Sequence, residues 1–373
     1  MVQPASCSSR VACLAPPTPS AGRCCRAFAS STQQQQQPLQ LSARSSRSLL
    51  QATGRKVVLQ STTSSSPRLP VVAAASQNGA TADKPKVVVL GTGLMGSKAA
   101  QRLTEEGFPV TAWNRDSSKA EALKKAGVES IENLTDAVGE ADVALLLLAD
   151  ANAIDSVLMG DESVLAALKG RTVLQMGTIG PDQSREFNRK LGERGVKYLE
   201  APVQGSHPEV AAGSLVIMVG SDEDPTTGPA WPVLEALGDN PRHMGKVGEA
   251  AAIKLAFNQL VASLMVGFAT SLGLLERNNA DVEKFMELLR ESKLYAPTFD
   301  KKLPRMLDRD FTNPNFPTKH LLKDIQLFQV EAKTAGLDPS MLAGLEAIIA
   351  KTCKEGLDDT DYSAVYSGVN PEQ

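Results

Sequence analysis

The chain has 373 residues and a formal net charge of −3, a length that suits two ordinary domains plus additional sequence. Its charge is uneven: no Asp or Glu precedes Asp83, while the same stretch carries Arg10, Arg23, Arg26, Arg44, Arg47, Arg55, Lys56 and Arg68. The remainder of the chain is therefore distinctly acidic, which argues against a nucleic-acid partner.

Residues 1–75 are rich in Ser, Ala and Gln, include a Gln33–Gln37 run, and hold too few periodic apolar positions to build a core. An acid-free, Arg- and Ser-rich leader is the composition of an organelle transit peptide. The small residues of Val71–Ser76 form a plausible processing region, with 76–84 as linker. A chloroplast destination is expected, with the mitochondrion as the alternative. Cys7, Cys13, Cys24 and Cys25 all fall in this leader, so only Cys353 remains beyond it, which excludes an internal disulfide or a thiolate metal site there.

Order is expected from about residue 85. Residues 86–90 are a short apolar run that breaks into glycines, as a buried parallel strand does. A helix is expected over 94–106, a strand over 109–113, and a helix over 117–125 that stops at Gly127. Strands are expected at 142–148, 171–176, 197–199 and 215–219, with a helix at 181–194. This alternation predicts an α/β fold, a Rossmann-type doubly wound parallel sheet over 85–245. From 246 to 373 the pattern turns all-α, with helices at 249–277, 281–292, 297–307, 318–335 and 339–355. The first is long and carries no charge from Leu255 to Leu275. Asn258, Gln259, Ser263, Thr270 and Ser271 interrupt it, so it reads as a helix joining two domains and not as a membrane span.

Gly91-Thr92-Gly93-Leu94-Met95-Gly96 follows a strand and opens a helix, the context a dinucleotide fingerprint requires. The first glycine makes the turn, the second admits the pyrophosphate, and the third lets helix and strand close. The helix N-terminus offers free N–H groups to the phosphates. The second strand ends in Asn114-Arg115, where an NAD enzyme usually places a carboxylate for the ribose hydroxyl. Asn114 does not repel a 2′-phosphate, and Arg115 can pair with one through its planar fork, so the expected cofactor is NADP(H). Thr178 stands at a strand end, where open α/β sheets bind ligands. Lys254 lies in an otherwise apolar helix with Asn258 four residues on, on the same face. His207, His243 and His320 lack metal-ligand spacing.

These motifs, with Glu200-Ala201-Pro202-Val203-Gln204-Gly205-Ser206, Gly245-Lys246-Val247-Gly248 and Lys323-Asp324, occur in an order that resembles the β-hydroxyacid dehydrogenase family. Within it the pattern is similar to plant-type glyoxylate/succinic semialdehyde reductases. The resemblance implies Lys254 as proton donor and Asn258 as its orienting partner, and a substrate loop at Gln204, Gly205 and Ser206. It implies Phe316 in the substrate pocket and Lys323 and Asp324 closing the site from the helical domain, Lys323 on the cofactor side and Asp324 on the substrate side. It also implies a homodimer or homotetramer. The chain departs from the family at Gln204, where Ser is usual, and at Gln175-Met176-Gly177-Thr178, where only the threonine of Asp-x-Ser-Thr is kept. The expected activity is NADPH-dependent reduction of a small aldehyde acid. The alternatives are another β-hydroxy acid, an imine, or a catalytically weak NADP-binding regulatory protein.

Overall fold

The computed structural model describes residues 84–372, so the leader and its processing region lie outside the described residues. The first part runs β1 (Val87–Leu90), α1 (Leu94–Glu105), β2 (Val110–Trp113), α2 (Ser117–Glu121), β3 (Glu129–Ser130), α3 (Leu134–Glu140) and β4 (Val143–Leu146). It continues with α4 (Ala151–Leu158), α5 (Glu162–Ala167), β5 (Thr172–Gln175), α6 (Pro181–Glu193), β6 (Lys197–Glu200), β7 (Val203–Gln204), α7 (His207–Ala212), β8 (Val216–Gly220), α8 (Ala230–Leu237) and β9 (Arg242–Gly245). The remainder is helical: α9 (Glu249–Arg277), α10 (Val282–Glu291), α11 (Pro297–Leu307), α12 (Thr318–Thr334), α13 (Ser340–Thr352) and α14 (Val365–Val369).

The sheet order is β3-β2-β1-β4-β5-β6-β8-β7, with β9 against β8. From β3 to β6 every pair is parallel. There the apolar strands are buried on both faces: Val87 and Val89 enter one core with α1, α7 and α8, while Val88 and Leu90 enter the other with α3 to α6. The expected doubly wound architecture is therefore present, but the sheet is not parallel throughout. β8 runs antiparallel to both β6 and β7.

Sequence periodicity misses α3, α4 and α5. They are short, and their starts are set by polar caps: the side chains of Asn133, Asp150 and Asp161 accept hydrogen bonds from backbone N–H groups one turn on. The helix expected at 117–125 divides into α2 and a tighter 3₁₀ turn at Ala122–Ala126, which ends on Gly127 at φ 79°. No strand follows β9 among the described residues. α9 is long and apolar enough to cross a membrane by length and composition. In this structure it packs on α6, β8 and β9 along its first part and on α12, α13 and α14 beyond, so it joins the sheet to the helical core.

Candidate active site

The glycine turn after β1 has the geometry its sequence requires. Gly91 has φ 98°, and a Cβ there would meet Leu147 O at 2.7 Å. A Cβ on Gly96 would collide with Gly91 O, so only glycine lets α1 close on the strand. Gly93 caps α1 without a side-chain hydrogen bond and faces open space, with nothing within 4 Å of its Cβ position. The first amides of α1 are thus left for an incoming anion. Thr92 Oγ1 is buried without a partner, while Thr92 N donates to Asn114 Oδ1 at 3.1 Å. Asn114 Nδ2 in turn donates to Asp116 O at 3.0 Å, so Asn114 staples the glycine turn to the end of β2. Leu94 is exposed and Met95 packs on the core. Arg115, next in the chain after Asn114, is exposed. An orphaned hydroxyl, open space over Gly93 and uncapped helix amides fit a dinucleotide.

Across the C-terminal strand ends, Gln175 turns its buried amide back onto Gly177, donating to Gly177 O at 3.1 Å and accepting from Gly177 N. This clamps the turn that carries Thr178. Lys323 of α12 reaches over and donates to Thr178 O at 2.6 Å. Its Nζ also lies 3.1 Å from Asp324 Oδ1, which has no hydrogen-bond partner, while Asp324 Oδ2 accepts from Asn258 Nδ2 at 2.6 Å. Asp324 and Asn258 are both buried. Lys254, one turn before Asn258 on α9, is 9% exposed. Burial lowers its pKa to about 8, opposed by the Asp324 carboxylate and assisted by the Lys323 ammonium. The structure thereby brings Thr178, Lys254, Asn258, Lys323 and Asp324 into one cluster from both halves of the chain.

Gln204, Gly205, Ser206 and Phe316 share no hydrogen bond with this network. Gln204 lies on β7 at the sheet edge, paired with Val216, and its Nε2 is buried without a partner. Gly205 has φ 123°, and a Cβ there would meet Leu215 Cδ2 at 2.8 Å. Ser206 uses both its N–H and its hydroxyl on Glu209 Oε2, each at 2.7 Å, and so starts α7. Phe316 stacks on His320 and meets Tyr362 edge-on, with ring centroids 6.4 and 5.8 Å apart.

Two family profiles match the chain in tandem. Residues 86–245 match the NAD binding domain of 6-phosphogluconate dehydrogenase. Residues 248–369 match the NAD-binding profile of NADP-dependent 3-hydroxyisobutyrate dehydrogenase. The chain belongs to the β-hydroxyacid dehydrogenase family. As a β-hydroxyacid dehydrogenase it is an NAD(P)-dependent oxidoreductase acting on CH–OH groups. It is 29% identical to the chloroplastic glyoxylate/succinic semialdehyde reductase 2 of Arabidopsis thaliana, over 74% of this chain and 77% of that protein. It is also 29% identical to the NAD-dependent L-serine dehydrogenase of Pseudomonas aeruginosa, over 77% of this chain and 99% of the relative. Among solved structures, the 3-hydroxyisobutyrate dehydrogenase of Mycobacterium tuberculosis with L-serine superposes with a TM-score of 0.68 at 26% identity, covering 76% of this chain and 98% of the other.

Two side chains named within these motifs make contacts that sequence did not assign them. Gln175 stands where the family has Asp and serves the Gly177 turn. Glu200 opens the Glu200–Ser206 motif and is 1% exposed. A carboxylate flanked by Leu199 and Ala201 at a strand end was its one legible signal.

Proposed function

We propose that the protein reduces a small aldehyde acid with NADPH, taking glyoxylate to glycolate and succinic semialdehyde to 4-hydroxybutyrate, with Lys254 as proton donor. The observation that carries this reading is a lysine buried on α9, with its pKa lowered to about 8, beside the Asn258–Asp324 hydrogen bond. A bound nicotinamide dinucleotide supplies the hydride in such a reaction. Lys254 holds a proton at Nζ and releases it to the carbonyl oxygen as negative charge develops there. Asp324 favours the protonated lysine, and Asn258, fixed by Asp324, orients the oxygen. Gln204 offers its unpaired amide to the substrate carboxylate in place of the family's serine, as Gly205 keeps the turn open. Phe316 closes the apolar wall.

NADP(H) is favoured over NAD(H) because Arg115 is exposed and the Asn114 amide, not a carboxylate, directly follows β2. The nearby Asp116 carboxylate is taken up by the Ser118 hydroxyl at 2.7 Å. The acid-free leader, and a relative described as chloroplastic, support import into the plastid with removal of about residues 1–75. A second copy of the chain completes the assembly: Phe257, Leu260, Leu264 and Leu274 leave an exposed apolar stripe on α9, spaced with Gly267 and Ser271 at alternating three and four residues.

The test is oxidation of NADPH and of NADH by the full chain with each aldehyde, beside Lys254→Ala. Turnover that prefers NADPH is expected. In the variant kcat should fall by at least about 100-fold while NADPH still binds. Tight NADPH binding without turnover of either aldehyde overturns the substrate assignment. Undiminished turnover by Lys254→Ala overturns the proton donor.

A further inference from the structure

We propose that Glu200 is a positioning residue for Lys254, acting through the N-terminus of α9; this rests on the reading of Lys254 as proton donor. Glu200 is the last residue of β6, in the sheet. Its Oε1 accepts from three backbone amides at the start of α9: Gly248 at 2.7 Å, Ala250 at 3.0 Å and Ala251 at 3.2 Å. Its Oε2 accepts from the Ser184 hydroxyl of α6, whose oxygen lies 2.9 Å from the Tyr198 hydroxyl. The carboxylate therefore bridges sheet and helix with each oxygen engaged, the condition under which a buried charge is tolerated.

The surroundings are shaped for it. α9 begins on Gly248 at φ 99°, with no side-chain cap of its own, so Glu200 supplies the cap from a distant strand. On β8 the facing residue is Gly220, where a Cβ would collide with Glu200 Oε1. A larger residue at Gly220 would displace the carboxylate, and at Gly248 the positive φ strains any other residue at the helix start.

The consequence reaches Lys254 by helix geometry. Lys254 follows Ala251 by three residues, a rise of about 4.5 Å. Lys254 sits on the turn directly after the one that Glu200 holds, so a shift of that start carries Lys254 with it. Thr178, on the next strand-end turn, is joined to the same cluster by Lys323. The register of α9 on the β6 end thus sets where Lys254 Nζ stands over the sheet crevice. An error of about 1 Å in such placement can cost on the order of 100-fold in rate.

The experiment compares Glu200→Ala, Glu200→Gln and Glu200→Asp in the full chain, with Lys254→Ala as reference. It measures kcat for glyoxylate reduction and the NADPH dissociation constant from nucleotide fluorescence. Gln keeps the oxygen that takes the three amides and loses the charge. Asp keeps the charge and is too short to reach them. Glu200→Ala is expected to lose about 100-fold in kcat, with NADPH affinity within about threefold of wild type. Gln should recover most of kcat and Asp should not. Should Glu200→Ala not fold, the order of Gln and Asp still decides. Unchanged kcat in Glu200→Ala, equal losses of kcat and cofactor affinity, or Asp outperforming Gln overturns the proposal. Failure of the underlying reading shows separately, as full turnover by Lys254→Ala.

Discussion

Lys254 is held in a state that costs stability and suits the proton-donor role proposed for it. Desolvation lowers its pKa to about 8, so it still carries a proton near neutral pH yet releases one readily. Reduction needs the protonated form, so kcat should be level at low pH and fall as pH rises through about 8, which a pH–rate profile will test. A flat profile from pH 6 to 10 would disprove that role. The linkage to folding has a definite sign. The unfolded lysine, at 10.5, keeps its proton where the folded one has lost it, so stability rises as pH climbs from about 8 toward 10.5. At pH 7 the full penalty is present, and Lys254→Met should raise stability by about 3 kcal/mol as turnover disappears. Denaturant unfolding at pH 7 and pH 10 should show this gain shrinking at the higher pH. The sequence carried the anomaly, a lone lysine among alanines and leucines. It did not carry the environment: Asp324 and Lys323 lie on another helix, far along the chain.

At the scale of elements, the segment that carries Phe316 depends on a buried ion pair between α11 and the turn after Asp361. Lys302 Nζ donates to both carboxylate oxygens of Asp361 at 2.8 Å and lies over the Tyr362 ring. Burial alone would raise the Asp361 carboxyl, but the Lys302 ammonium holds it below the usual carboxylate range. Asp361 also takes Asn315 N, and Tyr362 N donates to Phe316 O, so the pair anchors both sides of the Phe316 turn. Asp361→Ala strands a buried ammonium and should cost about 3–5 kcal/mol in chemical denaturation. A loss below about 1 kcal/mol would mean that water reaches Lys302. Neither residue stood out in sequence, since a lysine and an aspartate 59 positions apart have no local pattern. The strand–glycine–helix unit at 86–106, by contrast, was legible almost to the residue, because the apolar run, glycine spacing and helical period that mark it are local in sequence.

For the whole molecule, α9 is an element that meets the sheet, the helical core and open solvent. Its exposed stripe through Phe257, Leu260, Leu264 and Leu274 calls for a partner surface, and the proposed dimer buries it. Leu260→Glu with Leu264→Glu should shift the protein to monomer in analytical ultracentrifugation, and an unchanged sedimentation coefficient would place the interface elsewhere. Sequence alone determined the α/β-then-α order, the dinucleotide turn, and Lys254 with Asn258 on one helix face, since these depend on periodicity and spacing within a few turns of chain. Only the tertiary structure decided that β8 runs antiparallel, that Lys323 clasps Thr178 across the two halves, and that Glu200 caps α9. Each of these depends on groups far apart in sequence meeting in the fold, where buried hydrogen bonds must be satisfied by whatever the fold brings near.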